Sequence, residues 1–147
     1  MATNINTFFT KEQKKEIENA IKTAELNTSG EVRVHIETKC DGNELDRAAW
    51  WFAELKMHKT KMRNGVLFYM AIDDKKLAII GDVGINSVVE EGFWDHTKEL
   101  MLSFFKEEKY TQGLTVGIIQ TGLQLKRHFP FKTDDVNELT DEISFGK

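Results

Sequence analysis

Polar and glycine residues stand together at one end of the two most apolar runs in the chain. Arg63 and Asn64 precede the first run, and Asp82 follows the second run with Gly81 and Gly84 close on either side. An arginine can bind a phosphate through two parallel hydrogen bonds, and glycine lets a backbone approach a ligand closely. Asp82 could serve as a metal ligand or orient a water molecule. These residues predict a ligand site at this end, although Asn64 and Asp82 beside glycines are also typical of turns.

Asp95 is a further candidate, because it lies near the start of a predicted helix and could act with Asp82 as a metal ligand. An acid at a helix start is also typical of a residue that complements the helix dipole. Asp73 and Asp74 lie in the turn at the opposite end of the two apolar runs, so they cannot join Asp82 in a three-acid metal site. Other metal-ligating or nucleophilic residues lack ligand spacing: His35, His58, His96, His128 and Cys40.

The two apolar runs predict the central strands of a sheet. They cover Val66–Ile72 and Lys76–Ile80, and the charged residues Asp73–Lys75 form a turn between them. Nearly continuous apolar residues indicate strands that are covered on both faces. The stretch 31–38 alternates instead, with valine and isoleucine on one side and charged residues or histidine on the other. It predicts a strand with one solvent-facing side, at or near the edge of the sheet.

Helical patterns lie before, between and after these strands. Thr10 and Gln13 form a capping-box pattern that opens a helix over about 10–26. Asn43 is the predicted N-cap of a second helix, a third includes Phe93 and Phe104, and Thr111 is the predicted cap of a fourth. A loop at 83–92 carries a short helical turn at 86–90. Three glycines in the fourth helix indicate close backbone packing: Gly113, Gly117 and Gly122.

This order of elements predicts an α/β fold, a three-layer α/β/α sandwich in which a small mixed sheet carries helices on both faces. The 147 residues fit one domain at 1–130, followed by an acidic tail at 131–147. In the tail, Val136, Leu139 and Ile143 recur at helical spacing. The tail is interpreted either as a frayed segment or short helix on the domain's own surface, or as a linear motif for a partner.

The composition and the apolar stretches of the chain limit the partners and the cellular location that we expect for it. The net charge of −4 does not suggest a nucleic-acid binder, which would need a basic face. The single cysteine excludes an internal disulfide framework. The sequence has neither a signal-peptide pattern nor an apolar stretch long enough to span a bilayer, which predicts a cytoplasmic chain.

A series of short motifs, taken in order, resembles the TPM domain family, and specifically its bacterial branch. They are Thr28-Ser-Gly-Glu-Val-Arg-Val-His35, Arg63-Asn-Gly-Val-Leu-Phe-Tyr69, Ile79-Ile-Gly-Asp-Val-Gly-Ile85, Phe93-Trp-Asp95 with Tyr110-Thr-Gln-Gly-Leu114, and His128-Phe-Pro130. The resemblance covers about residues 8–130 and implies an α/β/α sandwich. Chloroplast members are associated with acid phosphatase activity and photosystem II repair, a nematode member modulates a receptor, and many bacterial members are membrane-anchored. Many members carry Asp before the Asn-Gly pair, where this chain has Arg63. That difference weakens any metal site built around the acid.

Two hypotheses of function follow. The first is a binding or protein quality-control module that uses the loops at the Arg63 end and has a protein partner. The second, implied by the resemblance, is a weak acid phosphatase that hydrolyses phosphomonoesters with Ca²⁺ or Mg²⁺. Its candidate ligand or metal-binding residues are Arg63, Asn64, Asp82 and Asp95, with Asp82 and Asp95 as the metal ligands. The first is preferred, because the sequence contains no compact catalytic set.

Overall fold

The computed structural model describes residues 4–130 and 140–146. Its sheet contains β1 (Glu31–Glu37), β2 (Gly65–Ala71), β3 (Lys76–Gly81) and β4 (Ser144–Phe145), in the spatial order β3-β2-β1-β4. β2 is parallel to β1 and antiparallel to β3, and β4 is parallel to β1. The sheet is therefore mixed, as predicted, and its two central apolar strands lie within a residue of their predicted bounds.

Five helices surround this sheet in the described part of the chain: α1 (Lys11–Glu25), α2 (Glu44–Glu54), α3 (Val83–Asn86), α4 (Phe93–Phe105) and α5 (Tyr110–His128). A short 3-10 helix at Ile5–Thr7 precedes them. The predicted capping box of α1 is present, since Thr10 Oγ1 accepts from Gln13 N and Gln13 Oε1 accepts from Thr10 N. Asn43 caps α2 as predicted. None of the helices in the described part of the chain combines the length and the hydropathy that a membrane span requires.

Alternate residues of the strands fill two cores, one on each face of the sheet. Val34, Phe68 and Ile79 pack with residues of α1, α4 and α5. On the other face, Leu67 and Tyr69 pack against α2. Helices on both faces confirm the predicted three-layer α/β/α sandwich, and they explain why the central strands lack polar alternation.

The prediction of a solvent-facing side for β1 is wrong. Glu31, His35 and Glu37 on its polar side are all buried, at 2 %, 0 % and 2 % exposure. α2 covers this side through Trp51, whose ring stacks on His35, and β4 lies along its free edge. The strand is next to the edge as predicted, but Glu37 on its polar side is buried and paired with Arg47.

Three smaller predictions differ in detail. α5 begins at Tyr110, so Thr111 lies inside the helix and Lys109 takes the cap position. The short helix after β3 spans Val83–Asn86, earlier than the predicted turn at 86–90, because Asp82 caps it directly. Ile143 is buried beside a strand, and Val136 and Leu139 lie outside the described residues.

The predicted close packing of the α5 glycines is confirmed. A side chain at Gly122 would overlap Ala24 of α1, and one at Gly117 would overlap Met101 of α4. These glycines let α5 lie against both neighbouring helices. The three helices form one layer above the sheet.

Candidate functional site

Arg63 and Asp82 form a two-bond ion pair at the end of the sheet where β2 begins and β3 ends. Arg63 Nε donates to Asp82 Oδ2 at 2.7 Å, and Nη2 donates to Oδ1 at 2.9 Å. Asp82 is buried, whereas about half of the Arg63 side chain is exposed. The hydrogen bond with Asp82 raises the pKa of Arg63. The pair therefore presents a guanidinium whose charge is already matched by a carboxylate.

Backbone contacts fix the two loops that carry this pair. Asp82 Oδ1 also accepts from Val83 N at 2.7 Å and so caps α3. Gly84 N donates to Arg63 O at 2.8 Å, and a Cβ at Gly84 would lie only 2.5 Å from that carbonyl oxygen. Arg63 itself has φ of 51°, in the left-handed region. Only glycine at position 84 permits so close an approach of the two backbones.

Asn64 is buried behind the pair and connects β2 to the residues before β1. Its Nδ2 donates to Ser29 Oγ at 3.2 Å, and its backbone N donates to Thr60 Oγ1 at 3.2 Å. Its Oδ1 is buried and has no hydrogen-bond partner among the described residues. With 1 % exposure, Asn64 positions the start of β2 and does not reach the surface.

Among the described residues, Asp95 makes no hydrogen bond or ion pair with the other three candidates. It is exposed in the first turn of α4, and its carboxylate has no hydrogen-bond or ion-pair partner among the residues that the structure describes. The neighbouring Trp94 connects α4 to the site instead, because its Nε1 donates to Asn86 Oδ1 at 2.8 Å and Asn86 Nδ2 donates to Gly81 O at 2.7 Å. The structure thus joins Arg63 to Asp82 and buries Asn64 at the start of β2, and no described hydrogen bond links Asp95 to them.

The described residues contain no group of three or more histidine, cysteine, aspartate or glutamate side chains placed to hold a metal ion. Asp82, one of the two predicted metal ligands, directs one carboxylate oxygen to Arg63 Nε and the other to Arg63 Nη2 and Val83 N.

A sequence profile of the TPM domain matches residues 3–122. The chain belongs to the TPM domain family. No curated protein matches it. Among solved structures, it is similar to the NMR structure of BA42 protein from the psychrophilic bacterium Bizionia argentinensis, with 47 % identity over 97 % of this chain and 99 % of that one, and a TM-score of 0.89.

Two more distant structures share the fold of this TPM domain. The N-terminal domain of a protein from P. gingivalis is 16 % identical, with a TM-score of 0.68 over 86 % of this chain and 83 % of that one. The N-terminal domain of cg2496 protein from Corynebacterium glutamicum is 11 % identical, with a TM-score of 0.64 over 80 % and 74 %. At these identities the likeness establishes the fold alone.

A buried polar cluster in this TPM domain was missed by sequence reasoning. Glu37 accepts two hydrogen bonds from Arg47, at 2.7 and 3.1 Å, one from Trp51 at 2.7 Å and one from Tyr69 at 2.5 Å. Burial alone would raise the pKa of Glu37, but these hydrogen bonds together outweigh burial and lower the pKa. Arg47 and Trp51 stand four residues apart on α2, so they share one helix face. The four-residue spacing of Arg47 and Trp51, together with the alternating charges of β1, was the sequence signal from which this cluster could have been predicted.

His35 lies at the edge of this cluster and contacts the segment 140–146. Its Nδ1 is 2.9 Å from Ser144 Oγ, while Nε2 is buried without a hydrogen-bond partner in the described structure and is 3.9 Å from Glu37 Oε1. Burial lowers the pKa of His35 to about 4. The imidazole is therefore neutral near pH 7, and the cluster holds an ionised Glu37 paired with Arg47.

Proposed function

We propose that this TPM domain is a protein-binding module. Its binding face is the Arg63 surface, which we define as Met62, Arg63, Asp82 and Val83. The observation that carries the proposal is the exposure of two large apolar side chains beside the ion pair: Met62 is 46 % exposed and Val83 is 63 % exposed. Arginine and methionine are both enriched at protein interfaces, and arginine is frequent among the residues that dominate binding energy.

The surface is also held rigidly, which lowers the entropic cost of association. The Arg63–Asp82 pair, the capped start of α3 and the Gly84–Arg63 backbone bond fix both loops. A partner would therefore meet apolar side chains that are already in place. Recognition of apolar segments on another protein is what a quality-control role requires.

Phosphomonoester hydrolysis is the alternative that the family resemblance implies. It would require Arg63 to bind a phosphate and Asp82 to bind a metal ion. The Asp82 carboxylate already occupies the Nε–Nη2 edge of Arg63, at 2.7 and 2.9 Å, so a phosphate would have to compete with Asp82 there or use only the remaining N–H donors of the guanidinium. A metal bound by Asp82 would likewise compete with Arg63 for the same carboxylate oxygens. We favour binding over hydrolysis because of this competition, and one set of experiments can test both functions.

The test is photo-cross-linking from a benzoylphenylalanine placed at Lys61, beside the Arg63 surface, in lysate of the source cells. We expect one discrete protein adduct, and we expect Val83→Asp to reduce it at least about tenfold because a charge would be desolvated in the interface. Leu123→Asp is the matched control, since Leu123 is 54 % exposed on α5. It should leave the adduct unchanged.

Adducts that are equally abundant in Val83→Asp and Leu123→Asp would overturn the proposal. So would phosphatase activity well above a blank on para-nitrophenyl phosphate that Asp82→Asn abolishes. A parallel NMR titration with Ca²⁺ or Mg²⁺ distinguishes the two functions further. Saturable shifts of the Gly81–Gly84 amides would favour the phosphatase, and unperturbed amides would favour the binding module.

A further inference from the structure

A cavity of about 380 Å³ lies at the opposite end of the sheet from Arg63. It is enclosed by the end of β2, the start of β3, the last turn of α4 and the start of α5. β1 and β2 are parallel, and both finish at this end. In open α/β sheets, ligands bind outside the carboxyl ends of parallel strands. The cavity also falls within the size range of small-molecule sites.

The walls of the cavity are apolar. Met70, Leu102, Phe105 and Tyr110 line it, and the rings of Phe105 and Tyr110 lie with their centroids 5.3 Å apart. Leu102, Phe105 and Tyr110 are only half-buried, so they present apolar surface to the interior of the cavity. A ligand with an aliphatic or aromatic body would cover this surface.

The rim of the cavity is positively charged. Lys75, Lys76 and Lys106 contribute to it, against the single carboxylate of Glu108. Lys76 Nζ is held in place by Cys40 O at 3.0 Å and Gly42 O at 2.6 Å. Within residues 4–130 and 140–146, neither Lys75 Nζ nor Lys106 Nζ has a hydrogen-bond or ion-pair partner. Two ammonium groups are thus available to an anion, while Glu108 disfavours a ligand with several negative charges.

We propose that this cavity binds a monoanionic amphipathic carboxylate, such as a medium-chain fatty acid. The apolar chain lies between Leu102, Phe105 and Tyr110, and the carboxylate faces Lys75 and Lys106. This site is separate from the Arg63 surface and does not depend on a protein partner. It requires no metal and no covalent step.

The test is an NMR titration of the full chain with decanoate, decanol and decylammonium, with the two ions kept below their critical micelle concentrations and decanol kept below its solubility limit. Decanoate should shift the amides of Ala71, Lys75, Leu102 and Tyr110 in a saturable way. Decanol should bind more weakly, because it lacks the charge that meets the lysines, and decylammonium should bind most weakly. Equal shifts from decanoate and decylammonium, or no saturable shift from decanoate, would overturn the proposal.

Two variants separate the charge from the cavity. Lys75→Gln combined with Lys106→Gln should weaken decanoate binding about five- to tenfold, the effect of two exposed ion pairs, and leave decanol binding unchanged. Lys15→Gln combined with Lys22→Gln is the matched control, since both lysines are exposed on α1. Leu102→Trp should fill the cavity and abolish binding of both ligands. A cooperative thermal transition of that variant verifies that it is folded, and undiminished binding by it would contradict the assigned site.

Discussion

The protonation state of Glu37 is decided by its hydrogen-bond donors and not by burial alone. Its carboxylate is buried, yet four donors from Arg47, Trp51 and Tyr69 hold it ionised. The alternation of residues 31–37 correctly predicts a strand with two unlike sides. It cannot reveal that the charged side is covered, because the covering groups come from other elements: α2, which begins after the next loop, and β4, more than a hundred residues away along the chain. The alternation of residues within one strand does not show which other segments of the chain cover that strand.

Glu25 is the residue for which we expect the clearest pH dependence. Burial and a hydrogen bond with the Asp141 side chain raise its pKa to about 10. The folded protein therefore holds this proton more tightly than the unfolded chain, and the free energy of unfolding should fall as pH rises from about 4.5 to about 10. His35 has the opposite shift, from 6.5 to about 4, and its contribution is constant above about pH 6.5.

Glu25→Gln should remove the alkaline loss, because glutamine can replace the protonated acid toward both Val32 N and Asp141. Urea unfolding at about pH 7 and about pH 9 should show that the advantage of the variant over the wild type grows by up to about 1.4 kcal/mol per pH unit. Glu12→Gln, exposed on the same helix, should show no such growth. A constant difference at the two pH values would mean that Glu25 is ionised in the folded protein.

The helices and strands were predicted most accurately where neighbouring residues alone determine their bounds. The α1 capping box and the β2–β3 hairpin depend on neighbouring residues, so their bounds are right within one or two positions. β4 depends on a partner strand and contains only two residues, too few for a periodic pattern. At the candidate site, the sequence placed Arg63 and Asp82 at one end of the sheet, but it did not predict that they would pair with each other.

A substitution at Gly84 tests the close packing of α3 against the loop that carries Arg63. Gly84→Ala would place a methyl group against the Met62 and Arg63 carbonyl oxygens, forcing the two loops apart. We expect a loss of about 1–3 kcal/mol in the free energy of unfolding, measured with urea. Glu90→Ala, exposed after α3, serves as the control. A loss no larger than that of the control would show that the loops separate at no cost.

The whole molecule has two chemically different ends joined by one sheet. The ion pair and exposed apolar residues lie at one end, and the lysine-rimmed cavity lies at the other. From the sequence, a ligand site was predicted only at the first end, because glycines and charged residues are clustered there. The cavity is assembled from β2, β3, α4 and α5, so its lining is scattered along the chain and no motif identifies it.

The pairing of β4 with β1 has a consequence for the order of folding. His35 and Ser144 are 109 residues apart, and closing so long a loop is costly before the rest of the fold exists. We therefore expect β4 to dock after the transition state. Phe145→Ala, which removes the ring beneath Lys14, should raise the unfolding rate about fivefold for a loss of about 1 kcal/mol and leave the folding rate nearly unchanged.

Stopped-flow mixing with urea would measure both rates. Slower folding in Phe145→Ala would instead place β4 in the folding nucleus. If β4 docks last, the protein passes through a species in which the edge of β1 is bare and His35 is open to water. During that interval the chain is most exposed to pairing with a second molecule. Faster docking of this short strand would then protect a newly made chain from aggregation.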